Sequence, residues 1–469
     1  MFRPIPALVA LALSASALSG TVRAQKLSVN EMAAIEKSVS DALAETGVPS
    51  VQIAVVRGGK LVLDRAWGKT SETIPGPRTD LPYPIASNSK QFLGALLLML
   101  ENDGKLSLDD KVGKWMPDVS GAKDITLRQL LAHTAGLQDY WPQDFAFAAM
   151  EQPVEPQGIV ARWGMKPLDY PPGTRWQYSN TGYVVAGMIA EKAGGAPLWQ
   201  QFEQRLFKPL GIRAVPIDAA VGPRYPQGYG RVALGPVRPV TPPAQGWLWA
   251  AGEMAVTAAD LAKWNIARLN RSLLPKEDWE EMERPVRLAD GSSTGYGLGV
   301  SIRETAGRKI VDHGGAAVGF LSQSAVWVND GISVVVLTNA EFGRVQDRLT
   351  GRIGEIVLPA SPQASTGEAA RTEDARAQLE ALIAGRFDPA RFTENGQYYF
   401  KPQVLADLRE SLAPLGPLTA FEAPRSPRLR GGFVNRNFRL TFGTRKLLLV
   451  TYAEPGPQGR WEQFMVMPE

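Results

Sequence analysis

The sequence predicts an α/β (α+β) domain built on an antiparallel sheet flanked by helices, followed by a small C-terminal α+β domain. Three observations carry this: hairpin-like strand pairs near residues 51–68 and 321–339, helical patterns between them, and a second helix-then-strand series after residue 373. The opening stretch MFRPIPALVALALSASALSGTVRA has a basic start at Arg3, a short apolar run and small residues before V-R-A. That is the pattern of a signal peptide, 1–24, cut after Ala24. The run falls short of the ~20 apolar residues a span needs, so no integral membrane segment is expected after cleavage. The protein is then expected to be secreted or periplasmic. NEMAAIEKSVSDALAE (30–45) spaces its apolar residues as a helix, and VQIAVVRGGKLVLDRAWG (51–68) reads as two strands around an Arg-Gly-Gly-Lys turn. QFLGALLLML (91–100) is apolar almost all round, which marks a helix inside the domain. LSQSAVWV, then Asn329-Asp330-Gly331, then ISVVVLTN has the turn chemistry of a hairpin. Residues 215–246 are rich in Pro and Gly and too long for a simple connection, so they either line a cleft or run over the surface. SPQASTGEAARTE (361–373) is polar and of linker type. Beyond it DARAQLEALIAG and QVLADLRESLAPLG read as helices, and GGFVNRNFRLTFG, RKLLLVTYAE and RWEQFMVMP as strands. The expected domains are 25–360 and 374–469.

Composition narrows the chemistry. The chain has 469 residues, no cysteine and two histidines, His133 and His313. Disulfides, thiol catalysis, Cys-type zinc sites and iron–sulfur clusters are excluded, and two distant histidines give no metal motif. No metal and no cofactor is expected. Lys+Arg total 51 against 47 Asp+Glu, for a net charge of +4 without a basic block, so no nucleic-acid partner is expected.

Three short motifs remain. Ser87-Asn88-Ser89-Lys90 stands at the mouth of the apolar helix. Residues three apart share a helical face, so the Lys90 amine can reach the Ser87 hydroxyl. Burial and the helix N-terminus bias Lys90 toward its neutral, basic form. S-x-x-K also arises by chance about once or twice in such a chain, and Ser120…Lys123 is a second match, in a Gly-containing loop. Tyr178-Ser179-Asn180 follows a Pro-Pro-Gly turn. A phenol near an ammonium has its pKa pulled down, so Tyr178 can move a proton; alternatively its ring is core and its hydroxyl bonds backbone. Asn180 offers a donor and an acceptor for a substrate amide or Lys90, or is a turn residue. Asp312-His313-Gly314-Gly315-Ala316 precedes the second hairpin. Paired glycines let a substrate lie against the strand, with an amide there joining that of Ser87 as an oxyanion hole; alternatively H-G-G is a turn.

With ASNSK (86–90), YSN (178–180) and HGG (313–315) in this order, the chain resembles the penicillin-recognising serine hydrolases: class C β-lactamases, D-Ala-D-Ala carboxypeptidases, D-aminopeptidases and related esterases. LLAHTAGL (130–137), PPGTRWQYSNTGY (171–183), AAGEMAVTAADLAKW (250–264) and YGLGV (296–300) extend the match over roughly 30–345. The resemblance implies the β-lactamase/transpeptidase-like fold with an all-helical subdomain. It implies Ser87 as the acylated nucleophile, Lys90 and Tyr178 sharing acid–base work, and Asn180, His313, Gly314, Gly315 and Ala316 binding substrate, with the Ser87 and Ala316 amides as the oxyanion hole. His133 is then a structural histidine hydrogen-bonded near the site. His313 stands where class C β-lactamases carry Lys, which removes a cation for a substrate carboxylate. Ala251-Gly252-Glu253-Met254 replaces a common A-G-G-L and puts a carboxylate near the cleft wall, read as facing water rather than a substrate amine. The expected function is an exported serine hydrolase acting through an acyl-enzyme on an amide or ester, of peptidase or esterase type, with a small-molecule or peptide substrate. The alternatives are a true β-lactamase and a non-catalytic cell-envelope binding protein.

Overall fold

The computed structural model describes residues 26–468 apart from 75, 144, 306, 360–361 and 424–426, so the expected signal peptide lies outside the described residues. The chain divides into two compact units: Met1–Glu304 with Arg308–Leu358, and Pro359–Glu469 with Thr305–Gly307.

The first unit opens with helix α1 (Val29–Thr46), whose Ser28 and Glu31 form a reciprocal capping box and whose end is a left-handed Gly47. Strands β1 (Ser50–Arg57) and β2 (Lys60–Gly68) follow as the expected hairpin. Its turn is Gly58-Gly59, both at positive φ. Four strands near the end of the unit complete a sheet: β3 (Ser301–Thr305), β4 (Arg308–Ala317), β5 (Phe320–Trp327) and β6 (Ile332–Thr338). The order is β2-β1-β6-β5-β4-β3, and β1 joins β6 antiparallel from Val51↔Thr338 to Arg57↔Ile332. The sheet therefore does pair the N- and C-terminal hairpins.

Strand periodicity sorts the core to two faces. Ile53, Val55, Val334 and Val336 pack with Ile35 and Val39 of α1 and Leu349 and Ile353 of the helix Val345–Val357. Ala54, Val56, Val335 and Leu337 face the other way, into the cluster containing helix α2 (Lys90–Asn102) and helix α3 (Asn180–Gly194). From Lys90 to Leu98 every residue of α2 is buried, as its all-round apolar pattern predicts. YGLGV earns its glycines here: a Cβ on Gly94 of α2 would lie 2.6 Å from the Leu298 carbonyl, and one on Gly299 would lie 2.7 Å from that of Lys90.

In the second unit an α-helix runs from Pro362 to Ile383 and takes in most of the stretch read as linker-like. Its polar, Ala-rich start has good helix formers and a proline tolerated in the first turn. The same stretch is tied down by Glu368–Arg436 (2.5 Å) and by buried Arg371, whose guanidinium sits 4.1 Å from the Trp461 ring centroid. The strands Leu418–Glu422, Phe433–Phe442, Arg445–Ala453 and Trp461–Pro468 form an antiparallel sheet in that order, with Arg428–Arg430 paired to the second. Leu379, Leu382, Phe438, Leu440, Leu449 and Trp461 fill its core.

Among the described residues no helix is long and apolar enough to cross a membrane, and no cluster of three metal-ligating side chains occurs.

Candidate active site

Ser87 lies in a 3-10 turn, Ala86–Ser89, that leads into α2. Ala86 just before it holds φ +46°, a left-handed conformation that costs an L-residue of this kind on the order of 1–3 kcal/mol and cocks the turn out of the helix line. The turn is gripped from two sides. Ile85 N–H donates to the Met254 carbonyl (2.9 Å), and Ser322 Oγ of β5 donates to the Ile85 carbonyl (2.9 Å) while accepting Asn88 Nδ2 (2.8 Å).

Gly315 of β4 packs against the nucleophile turn. A Cβ there would stand 2.0 Å from the Ile85 carbonyl oxygen and 2.4 Å from Ser322 Oγ. The space on the Cβ side of this glycine is filled by the turn itself. Strand β4 can thus approach the turn, and exposed Ala316 follows at its open end.

Lys90 is fully buried and has three oxygens around its amine: Ser87 Oγ at 2.9 Å, Asn180 Oδ1 at 2.9 Å and the Ala251 carbonyl at 2.6 Å. Burial pulls its pKa from 10.5 to about 7, against a partial upward pull from the Asp139 carboxylate. The sequence-based bias of Lys90 toward the neutral amine is what this environment produces. A neutral amine has two hydrogens and one lone pair. With Asn180 Oδ1 and the Ala251 carbonyl taking the hydrogens, the lone pair faces the Ser87 hydroxyl.

Tyr178 is a neighbour of Ser87, which favours its phenolate, and its ring centroid lies 4.9 Å from Lys90 Nζ. The expected direction of its titration is reversed: the phenol is pushed up, because desolvation of a phenolate outweighs the effect of Ser87 and the neighbouring amine is itself drawn toward neutrality. Tyr178 is therefore a protonated phenol at neutral pH.

His313 presents no cation either. Its Nδ1 is 2.5 Å from the Gly314 carbonyl and its Nε2 2.7 Å from the Tyr296 hydroxyl, which fits an Nδ1–H tautomer accepting at Nε2. Burial and the nearby Lys90 lower its pKa to about 4. His133, at φ +59°, accepts the Ser179 N–H at Nδ1 (3.1 Å) and stacks on Tyr178 with centroids 4.1 Å apart, as the structural reading anticipates. Tyr296 and Tyr183 close this aromatic wall around His133, at 4.8 and 5.2 Å. Tyr296 was legible only as part of the YGLGV stretch.

The structure thus gathers Ser87, Asn180 and the Tyr178 ring around the Lys90 amine, with the His313 ring 6.5 Å from that of Tyr178. Gly314 has a Gln323 contact, a Cβ there falling 2.9 Å from its Oε1. The second S-x-x-K match, Ser120 and Lys123, lies on a turn with Lys123 exposed. Two residues escape sequence reasoning: Asp139, whose carboxylate binds Asn180, and Ala251, whose carbonyl holds Lys90.

Glu253 is only partly exposed: its Oε2 is buried with no hydrogen-bond partner among the described residues, and burial together with Asp218 and Glu191 raises its pKa to about 8. The turn from the helix Trp249–Gly252 into the strand Met254–Val256 directs it inward, where its carbonyl accepts the Ile217 N–H at 2.6 Å.

Residues 215–246 do line a cleft. A cavity of about 200 Å³ is bounded by Ile217, Asp218, Val240 and Pro243 from this segment, and by Pro84, Leu248, Ala317 and Phe320. Its lining includes Pro84, three residues before Ser87, and Ala317, the residue after Ala316.

Comparison with known proteins agrees with this geometry. A family model described as Beta-lactamase matches residues 35–357. A D-aminopeptidase of Cereibacter sphaeroides is 31% identical over 316 residues, which are 62% of this chain and 57% of that protein. The chain thus spans little more than half the length of that relative. The D-stereospecific amidohydrolase from a Streptomyces species superposes with a TM-score of 0.59 at 30% identity, over 68% of this chain and 98% of that one. The octameric penicillin-binding protein homologue of Pyrococcus abyssi gives 0.62 at 20% identity over 93% and 99%, a likeness of fold.

Proposed function

The chain belongs to the Beta-lactamase family, and from that premise we propose that it is an exported serine hydrolase that cleaves an amide or ester through an acyl-enzyme on Ser87. The observation that carries the reading is the Lys90 amine, buried and held between Ser87 Oγ, Asn180 Oδ1 and the Ala251 carbonyl. Neutral Lys90 takes the Ser87 proton as Oγ attacks the substrate carbonyl. The oxyanion is received by the backbone amides of Ser87 and Ala316, an arrangement whose single donors are typically worth about 3–4 kcal/mol. The Tyr178 phenol gives its proton to the leaving nitrogen or oxygen as that bond breaks, and the proton held on Lys90 restores the phenol. Water then enters by the reverse relay and releases the acid.

Placing the acyl side chain in the cavity of Ile217, Val240 and Phe320 gives it an apolar lining with Asp218 as the single carboxylate. An amide or ester of an apolar D-amino acid fits this lining, in keeping with the names of the D-aminopeptidase and the D-stereospecific amidohydrolase. Neutral His313 gives a β-lactam carboxylate no cation, which weighs against a true β-lactamase. A binding-only protein has no use for a buried amine aimed at a serine.

Intact-mass spectrometry and turnover with p-nitrophenyl acetate, D-alanine amide, D-phenylalanine amide and benzylpenicillin, for the native protein and Ser87→Ala, test the proposal. Ser87-dependent acylation with amide or ester turnover is expected. Turnover that survives Ser87→Ala overturns it, as does a protein inert to every probe.

A further inference from the structure

We propose that Asp139 is a positioning residue that fixes the orientation of the Asn180 amide and through it aims the Lys90 lone pair at Ser87. This rests on the serine-hydrolase reading of the site. Asp139 lies in the loop that follows the short helix Leu127–Leu131, 41 residues before Asn180. Its Oδ1 accepts the backbone N–H of Asn180 (3.0 Å) and of Trp141 (3.2 Å), and its Oδ2 accepts Asn180 Nδ2 (3.2 Å). An asparagine amide is nearly symmetric in shape, so the polarity of its partners decides which end points where. A carboxylate is an acceptor only, so the NH2 end must face Asp139 and Oδ1 must face Lys90, where it stands 2.9 Å from Nζ. With the amide reversed, one amine hydrogen loses its acceptor, and nothing but the Ala251 carbonyl fixes the rotation of the amine. The lone pair then leaves the Ser87 hydroxyl. Carboxylate, amide, amine and hydroxyl form one directed chain.

The same carboxylate also acts on Lys90 through space, opposing the downward effect of burial. The other groups facing the amine are uncharged at neutral pH: the Tyr178 and Tyr183 rings at 4.9 and 5.1 Å, with His133 and His313 both held below their usual range. Asp139 is thus the one anion acting on this amine among these groups.

The test is a double-mutant cycle of Asp139→Asn and Asn180→Ala, with kcat and KM for D-alanine amide measured from pH 5 to 9 beside thermal melting. Asp139→Asn keeps the size but sets NH2 against NH2. We expect kcat to fall by about 10- to 1,000-fold with KM within about threefold, and the acid limb of the profile to move to lower pH. In the Asn180→Ala background the same substitution should change kcat by less than about threefold, the non-additivity of two residues in one chain. If Asp139→Asn does not fold, Asp139→Ser, which retains an acceptor for the Trp141 N–H, is read in the same cycle. Near-native kcat, or an equal loss in both backgrounds, overturns the inference while leaving the serine hydrolase standing. Absence of Ser87-dependent turnover in the native protein overturns both.

Discussion

Acidification should silence the enzyme through Lys90, and the extent follows from its surroundings. A lysine at its ordinary 10.5 leaves about 3 amines in 10,000 neutral at pH 7, whereas one drawn to about 7 leaves about half. The displacement from 10.5 to about 7 corresponds to a penalty on the order of 5 kcal/mol on the ammonium, set by burial. Since only the neutral amine accepts the Ser87 proton, kcat/KM should rise about 50-fold between pH 5 and 7 and about twofold more above it. The basic side should stay level past pH 9, because the Tyr178 phenol is pushed above its usual range. Initial rates on p-nitrophenyl acetate, which carries no titrating group, in constant-ionic-strength buffers and corrected with a Ser87→Ala blank, measure this, with kcat/KM reporting the free enzyme. A flat profile between pH 5 and 8, or a limb centred near 4 where His313 titrates, refutes Lys90 as the base.

Tyr178→Phe separates leaving groups: amide hydrolysis should fall by about 10²–10⁴-fold, and hydrolysis of p-nitrophenyl acetate, whose leaving group needs no proton, by less than about tenfold. Equal losses on both substrates would remove Tyr178 as the proton donor. Gly315→Ala should push β4 off the nucleophile turn, lowering stability by about 1–3 kcal/mol and activity more than 100-fold; a fully active variant with native melting contradicts the close approach. Glu253 has a raised carboxyl pKa, so its favourable contribution is complete below the unfolded value of 4.5 and is lost as pH rises to about 8. Glu253→Gln should therefore flatten the fall in chemical-denaturation stability between pH 5 and 9, a difference of a few kcal/mol at most, roughly. An unchanged slope would show that the carboxyl is solvated.

What the sequence made legible was local. A serine three residues ahead of a lysine at the start of an all-apolar helix implies burial and contact, and both occur. Hairpins with Gly-Gly and Asn-Asp-Gly turns announce themselves in the same way. What stayed hidden depended on which of two local forces wins. Proximity to an amine argued for an acidic Tyr178, but burial dominates. Polarity argued for a Glu253 facing water and a linker at 361–373, yet Oε2 of the first is buried and a helix from Pro362, held by Glu368 and Arg371, takes in most of the second. Asp139 carries no local signal at all, because its meaning lies in a partner 41 residues away.

The contact between Gly315 and the Ile85 carbonyl has a consequence for how such a protein can change. Backbone lies so close to backbone there that the approach of β4 to the nucleophile turn is set by a stop which only a side chain on Gly315 itself would widen. The cavity is lined in large part by the side chains of a long Pro/Gly segment that carries none of the catalytic groups. New substrates can therefore be acquired through residues 215–246 while the dimensions of the chemistry are inherited intact.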